Sequence, residues 1–246
     1  MTESTAGGKD IPILATRLWH RLRRPLTRWR APYMWLSRRR NSRANLLVRA
    51  DSVLAIEAPM RSANTYAVAA FYLSNGRSGH VARHMHTPAH VLEAIRLEVP
   101  TLVIVREPTD LAISHVIRRP ALTVRDSLID YAEFFETLDT VRSDLVVATF
   151  EEVTHSFDVV IKRINDRYGT VFNAPDVDAP FDQKVKELVE DMNRAETVSK
   201  GEIDERRVAR PSADRAKLRS IPEQQLADPL VQPYLRRAQA VYERWR

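Results

Sequence analysis

Two short apolar runs of the chain are each followed by a polar loop that carries an arginine, and each loop opens a predicted helix. Val53–Ile56 leads into Ala58–Tyr66, and Thr101–Val105 leads into Arg106–Asp110. Short apolar runs bounded by polar residues are typical of strands that are buried on both faces of a parallel sheet. Parallel strands need helical crossovers, so this pattern predicts alternating β and α elements.

The same alternation continues along the chain from Asp51. The predicted fold is an α/β three-layer sandwich around a parallel sheet of about four or five strands. The predicted strands lie at 52–57, 80–84, 101–105 and within 144–150. The predicted helices lie at 65–73, 88–97, 108–118, 123–138, 151–169, after Pro180, and at 231–245.

The two arginine loops lie where a parallel sheet binds anions. A helix that begins at the carboxyl end of a strand presents free backbone N–H groups and the positive end of its dipole. Two such turns, each with an arginine and hydroxyl side chains, predict a ligand with anionic groups at two separated places.

The residues of both loops resemble motifs of the sulfotransferases that use 3′-phosphoadenosine-5′-phosphosulfate. The first loop resembles the 5′-phosphosulfate pattern P-x-[KR]-S-G-x-T-[WYF], with Ala63 in place of the usual glycine. The second resembles the 3′-phosphate pattern R-[DN]-P-x-D-x-x-x-S. The positions in step with these patterns are Pro59, Arg61, Ser62, Thr65 and Tyr66 in the first loop, and Arg106, Pro108, Asp110 and Ser114 in the second.

This resemblance implies a nucleotide-kinase-like P-loop topology, the nucleotide as donor, no metal, and a set of binding residues. Arg61 is implied to stabilise the leaving phosphate, and Arg106 with Ser114 to hold the 3′-phosphate. Ser199-Lys200-Gly201 is similar to the family's R-K-G element without its arginine. The implied donor-binding residues are Arg61, Ser62, Ala63, Asn64, Thr65, Tyr66, Arg106, Ser114, Lys200 and Gly201.

Three histidines, at positions 84, 86 and 90, lie between the two loops. Transfer to a hydroxyl needs a general base with a pKa near neutrality, which favours histidine. His86-Thr87-Pro88 resembles the family's H-x-P element, which implies that His86 is the catalytic base. The cluster also suggests a metal site, but Pro88 keeps His86 out of the helix that carries His90, and no carboxylate precedes Glu93, so we expect none. The other alternative for His86 is a solvent-facing loop residue.

Residues 1–50 form a basic N-terminal arm, and residues 51–246 form the predicted sulfotransferase-like domain. No acidic residue lies between Asp10 and Asp51, and three of the four tryptophans are in the arm. A helix over Ile13–Arg24 would place three leucines on one face. Such a segment can lie in a membrane interface, here through residues 11–43. The alternative is an arm that packs its tryptophans on the domain and solvates its arginines; nucleic-acid binding is disfavoured.

The composition limits which other kinds of protein and of site the chain can form. The net charge is +6, the apolar fraction is 44% and there is no cysteine, which excludes disulfides and thiolate ligands. We see no secretory signal and no membrane span, and expect a cytoplasmic protein that is peripheral at the membrane surface if the arm binds lipid. The acceptor, a carbohydrate or glycolipid if the arm lies on a membrane, is not specified by these residues.

Two further functions are compatible with parts of the sequence. One is a nucleoside or sugar kinase, which the absence of a G-x-x-x-x-G-K-[ST] loop disfavours. The other is a non-catalytic membrane- or polymer-binding protein on the same nucleotide-binding scaffold.

Overall fold

A computed structural model describes residues 13–197 and 217–246 of the chain. Four parallel strands form one sheet in the order β2-β1-β3-β4, which confirms the predicted α/β fold. The strands are β1 (Ser52–Glu57), β2 (His80–Arg83), β3 (Thr101–Val105) and β4 (Val146–Thr149). Because β1 and β3 are central neighbours, their carboxyl ends lie side by side, and the two arginine loops leave the sheet at the same edge.

Helices cover both faces of this sheet. In chain order they are α1 (Ile13–Arg23), α2 (Arg30–Arg38), α3 (Asn64–Asn75), α4 (Pro88–Arg96), α5 (Pro108–Arg118), α6 (Val124–Leu138), α7 (Phe150–His155), α8 (Phe157–Tyr168), α9 (Ala179–Thr197), α10 (Ser220–Ala227) and α11 (Gln232–Trp245). Short 3-10 helices lie at Pro25–Arg28, Asn41–Leu46 and Asp139–Asp144.

Alternate residues of β3 point into two separate cores. Leu102 and Ile104 pack with α3, α8 and α9, whereas Val103 and Val105 pack with α5, α6 and α11. Every residue of β3 is buried, as expected for a central strand with helices on both faces. The molecule is therefore a three-layer sandwich.

One predicted feature of the C-terminal half is wrong. The helix expected at 151–169 is two helices, because Ser156 leaves the helical region at φ −144° and ψ 43°. The expected end is correct, with Gly169 at φ 66° as the C-cap. Helix α10 was not predicted. The other predicted helices and strands agree with the structure to within a few residues.

The N-terminal arm contacts the domain through its arginines. Arg24 Nε donates to Asp130 Oδ1 at 2.7 Å, and Arg21 Nε donates to the buried Asp126 at 2.9 Å. Arg30 and Arg38 both donate to Glu93 of α4, at 2.7 and 2.8 Å. These contacts attach the arm to α4 and α6.

The apolar side chains of α1 face solvent, although Met34 of α2 is buried in a small core beside β1. Trp19, Trp29 and Trp35 are 60%, 66% and 55% exposed. The alternative in which the arm packs its tryptophans and solvates its arginines is therefore wrong. No helix in 13–197 or 217–246 is long and apolar enough to cross a membrane.

Candidate active site

The loop after β1 turns sharply before α3 begins at Asn64. Arg61 and Ala63 have positive φ values of 78° and 64°, in the left-handed region. An L-residue there costs roughly 1–2 kcal/mol, which glycine avoids. The glycine-to-alanine difference noted in the motif thus falls on a residue whose backbone favours glycine.

Three buried polar atoms at this loop have no hydrogen-bond partner in the part of the chain that the structure describes. Ser62 and Asn64 are buried, and neither Ser62 Oγ nor the two amide atoms of Asn64 has a hydrogen bond to any described residue. A buried polar atom left unsatisfied costs about 1–3 kcal/mol. An anion held at the N-terminus of α3 would offer acceptor oxygens to two of these atoms, the hydroxyl of Ser62 and the amide nitrogen of Asn64.

The second arginine loop contacts the first directly. Arg61 Nε donates to Ser114 Oγ at 2.9 Å, and an Nη of Arg106 donates to the backbone oxygen of Arg61 at 2.7 Å. The guanidinium of Arg106 lies over the ring of Phe150, 4.2 Å from its centroid. Burial lowers the pKa of Arg106, while nearby carboxylates, chiefly Asp110, act to raise it. The fold therefore brings Arg61, Arg106 and Ser114 together.

His86 is held in one tautomer by a backbone oxygen. Its Nδ1 lies 2.9 Å from the carbonyl oxygen of Ala58, which can only accept, so Nδ1 carries the proton and Nε2 carries the lone pair. Burial lowers the pKa of His86, and the carboxylate of Glu57 acts in the opposite direction. The ring is therefore neutral at pH 7, with Nε2 able to accept a proton.

The other two histidines have different surroundings. His90 is fully buried: its Nε2 accepts from the backbone N–H of Val48 at 2.7 Å and its Nδ1 donates to Glu57 at 2.9 Å. Burial lowers the pKa of His84 to about 3, and its Nε2 has no hydrogen-bond partner among the described residues. Within 13–197 and 217–246, no three or more histidine and carboxylate side chains are grouped as metal ligands.

A large cleft, of about 1040 Å³, is lined by residues of both arginine loops and by His84 and His86, but not by His90. Of the residues predicted for the site, it is lined by Arg61, Ala63, Asn64, Thr65, Tyr66, His86, Arg106 and Ser114. Ser62 is buried within the loop itself. The predictions for Lys200 and Gly201 lie outside the described residues.

Comparison with solved structures gives a distant likeness. Among solved structures, the chain is similar to that of mouse sulfotransferase SULT7A1 complexed with PAP, at 13% sequence identity. The match covers 81% of this chain and 92% of that chain, with a TM-score of 0.41. No protein-family model and no curated protein matches the chain.

The cleft also contains residues that no motif indicated. Arg219, just before α10, lies 3.6 Å from the carboxylate of Asp110 and lines the cleft. Helix α9 forms another wall, where Asp182 accepts from the hydroxyl of Tyr66 at 3.0 Å. Both residues are more than a hundred positions from their partners, so no local pattern could have indicated them.

Proposed function

We propose that the chain is a sulfotransferase that moves a sulfuryl group from 3′-phosphoadenosine-5′-phosphosulfate to a hydroxyl of a carbohydrate or glycolipid acceptor. The observation that carries this proposal is the meeting of the two arginine loops. Arg61 and Arg106, 45 positions apart, are joined by a 2.7 Å hydrogen bond in a cleft that His86 also lines.

The first loop is suited to the sulfated end of the nucleotide. Arg61 keeps its charge and can contact two oxygens at once, so it stabilises negative charge on a leaving phosphate. Helix α3 begins with Asn64, Thr65 and Tyr66. The free N–H groups of this first turn and the positive end of the helix dipole would face the same phosphate. The unsatisfied amide of Asn64 supports this role.

The second loop is suited to the 3′-phosphate. Arg106 and Ser114 lie at the end of β3 and inside α5, and both line the cleft. Arg219 adds a further positive charge there, and Lys200 with Gly201 stays a prediction. When bound, the nucleotide supplies the sulfuryl group and a phosphate that leaves with the electrons of the broken bond.

His86 acts as the general base. The acceptor O–H gives its proton to His86 Nε2 while the acceptor oxygen forms a bond to sulfur. The sulfur–oxygen bond to the phosphate breaks, and its electron pair stays on the phosphate oxygen. The products are a sulfate ester, the 3′,5′-bisphosphate and one proton, so the reaction needs no metal or redox partner.

The arm supports a location at an anionic membrane surface. Its leucines and tryptophans are exposed beside arginines, a combination that favours the interface between lipid head groups and acyl chains. This placement would give the enzyme lipid-linked acceptors. The cytoplasmic location remains part of this proposal.

Nucleotide binding by calorimetry tests the proposal. Adenosine 3′,5′-bisphosphate should bind, and Arg106→Ala should weaken that binding about 10- to 100-fold, the range expected for a lost charged hydrogen bond. Adenosine 5′-monophosphate, which lacks the 3′-phosphate, serves as the matched control and should bind both proteins equally. Unchanged bisphosphate affinity in the variant would exclude the proposed site.

Two assays separate a sulfotransferase from the two alternatives, a kinase and a non-catalytic binding protein. Transfer that persists in EDTA argues against a kinase, because phosphoryl transfer requires a divalent cation. His86→Ala should lower transfer by about 10²- to 10⁴-fold while leaving bisphosphate binding intact. A non-catalytic binding protein would show no transfer before or after the substitution.

A further inference from the structure

A second cavity lies next to His86, between the N-terminal arm and helices α5 and α6. Its volume is about 120 Å³, and His86 and Met60 line both this cavity and the large cleft. The small cavity is therefore adjacent to the proposed base. It borders the first arginine loop at Pro59 and Met60, but Arg61, Arg106 and Ser114 do not line it. A molecule in it would approach His86 without occupying the nucleotide cleft.

Two buried polar atoms in the wall of this cavity lack partners. Thr87 and His115 are each 6% exposed, and neither Thr87 Oγ1 nor His115 Nε2 has a hydrogen bond to any residue that the structure describes. Thr87 occupies the N-cap position of α4, yet its side chain makes no capping bond. Each unsatisfied atom costs about 1–3 kcal/mol, which a bound polar group would recover.

The ring of His115 is fixed from its other side. Its Nδ1 lies 3.0 Å from Ser127 Oγ of α6, and burial lowers the pKa of His115 to about 3. The ring is therefore neutral and offers Nε2 as a single hydrogen-bonding group. Together with the hydroxyl of Thr87, it suits an uncharged polar group such as an alcohol.

Positive charge predominates around this cavity. Arg24 donates to Asp130 at 2.7 Å, and Arg28 lies 3.8 Å from Glu133. The cavity is lined by the four guanidinium groups of Arg23, Arg24, Arg28 and Arg119 against the two carboxylates of Asp130 and Glu133. An acceptor with an anionic group outside the cavity would be favoured over a neutral one.

We infer that this second cavity is the acceptor site, and that it takes the terminal hydroxyl of a compound whose phosphate or carboxylate group pairs with the arginines of the arm. A water molecule occupies about 30 Å³ in the liquid. The cavity therefore holds a hydroxyl and a few neighbouring atoms, and the rest of the acceptor lies outside it. This inference rests on the proposed sulfotransferase function, since it assigns the substrate of that site.

Glycerol 3-phosphate and glycerol make a matched pair of probes for this site. They share the hydroxyl end, and only the first carries the anion. Protein labelled with ¹⁵N-histidine reports binding directly, because the ring signals of His115 shift when the cavity is occupied. Adenosine 3′,5′-bisphosphate at saturation keeps the phosphate probe out of the nucleotide cleft.

Three variants locate the interaction. Thr87→Val removes the hydroxyl without loss of a capping bond, and His115→Asn keeps the contact toward Ser127 but removes Nε2. We expect both to weaken glycerol 3-phosphate binding about 10-fold, with bisphosphate affinity unchanged. In His115→Gln, an amide replaces Nε2, and binding should be partly restored. The variants' binding is followed through the ring signals of His86 and by calorimetry.

The role of charge is tested on the arm. Arg23→Gln with Arg28→Gln should remove the preference for glycerol 3-phosphate over glycerol. Wild-type protein that does not bind the probe, or binding unchanged in Thr87→Val and His115→Asn, would overturn the inference and leave a site for water only. Failure of the proposed function is seen separately, as absent bisphosphate binding.

Discussion

The carboxylate of Glu57 and the ring of His90 are hydrogen-bonded at 2.9 Å, and both side chains are fully buried. The same carboxylate accepts the backbone N–H groups of Met85 and His86, at 2.9 and 2.8 Å. Glu57 ends β1, so this pair attaches the first arginine loop to the segment that carries the proposed base. The two parts of the proposed active site are thus connected through hydrogen bonds to one buried carboxylate.

Glu57→Gln should disturb this connection while changing the side chain's volume little. The glutamine amide has one acceptor oxygen and would place an N–H₂ donor against another donor, leaving buried groups unpaired. We expect a loss of about 1–3 kcal/mol of stability, measured by urea unfolding, together with reduced transfer. Glu98→Gln, at an exposed position that does not line the cleft, is the control and should change neither. Equal stability of Glu57→Gln and wild type would show that the carboxylate is not needed.

Ala63→Gly should stabilise the protein. Ala63 has φ 64°, where an L-residue costs roughly 1–2 kcal/mol, and glycine avoids this cost. Glycine also makes the unfolded chain more flexible, which offsets part of the gain in stability. We expect a net gain of about 0.5–1 kcal/mol in thermal unfolding. Ala240→Gly, at an exposed position inside α11, is the matched control and should lose about 1 kcal/mol. A loss of stability in both variants would contradict the assigned backbone strain.

Acid should weaken the attachment of the arm. Burial acts to raise the pKa of Glu93, but the hydrogen bonds from Arg96, Arg30 and Arg38 lower it to about 2. Because the folded-state value is below the ordinary 4.5, the stabilisation is complete above pH 4.5 and is lost as the pH falls toward 2. Limited proteolysis with pepsin should therefore cleave the arm faster near pH 2 than near pH 4.

The matched comparison for this prediction is the double variant Arg30→Gln and Arg38→Gln. It removes both arm arginines from Glu93 and leaves Arg96 in place. The arm should then be cleaved readily at pH 4 as well, with a smaller dependence on pH. Cleavage of wild type at one rate across this range would contradict the role given to Glu93.

Membrane binding is best tested with surface substitutions. Deleting residues 1–48 would also remove Met34 from a small core and leave the carboxylate of Glu93 without two of its partners. Trp19→Ser with Trp29→Ser alters only exposed side chains, and should reduce sedimentation with phosphatidylglycerol vesicles about 10-fold or more. Val171→Ser, at a 94% exposed position, is the control. Wild-type protein that stays in the supernatant would exclude the membrane proposal.

Much of the fold could be predicted because its causes are local. The run at 101–105 is apolar on both faces, and Pro108 and the Thr123–Asp126 capping box mark where helices begin. The break at Ser156 could not be predicted, since no glycine or proline marks it. In the arm, the periodicity of the leucines indicated a helix but not which side would face solvent.

The sequence by itself determined the alternation of strands and helices and the two arginine loops, because periodicity, capping and turn residues act over a few positions. Only the tertiary structure decided the partners of the charged and polar groups: Arg61 with Ser114, Arg219 with Asp110, and the arginines of the arm with carboxylates of α4 and α6. The physical reason is that an arginine can pair with any carboxylate or hydroxyl within reach. Which groups come within reach is set by how the layers pack.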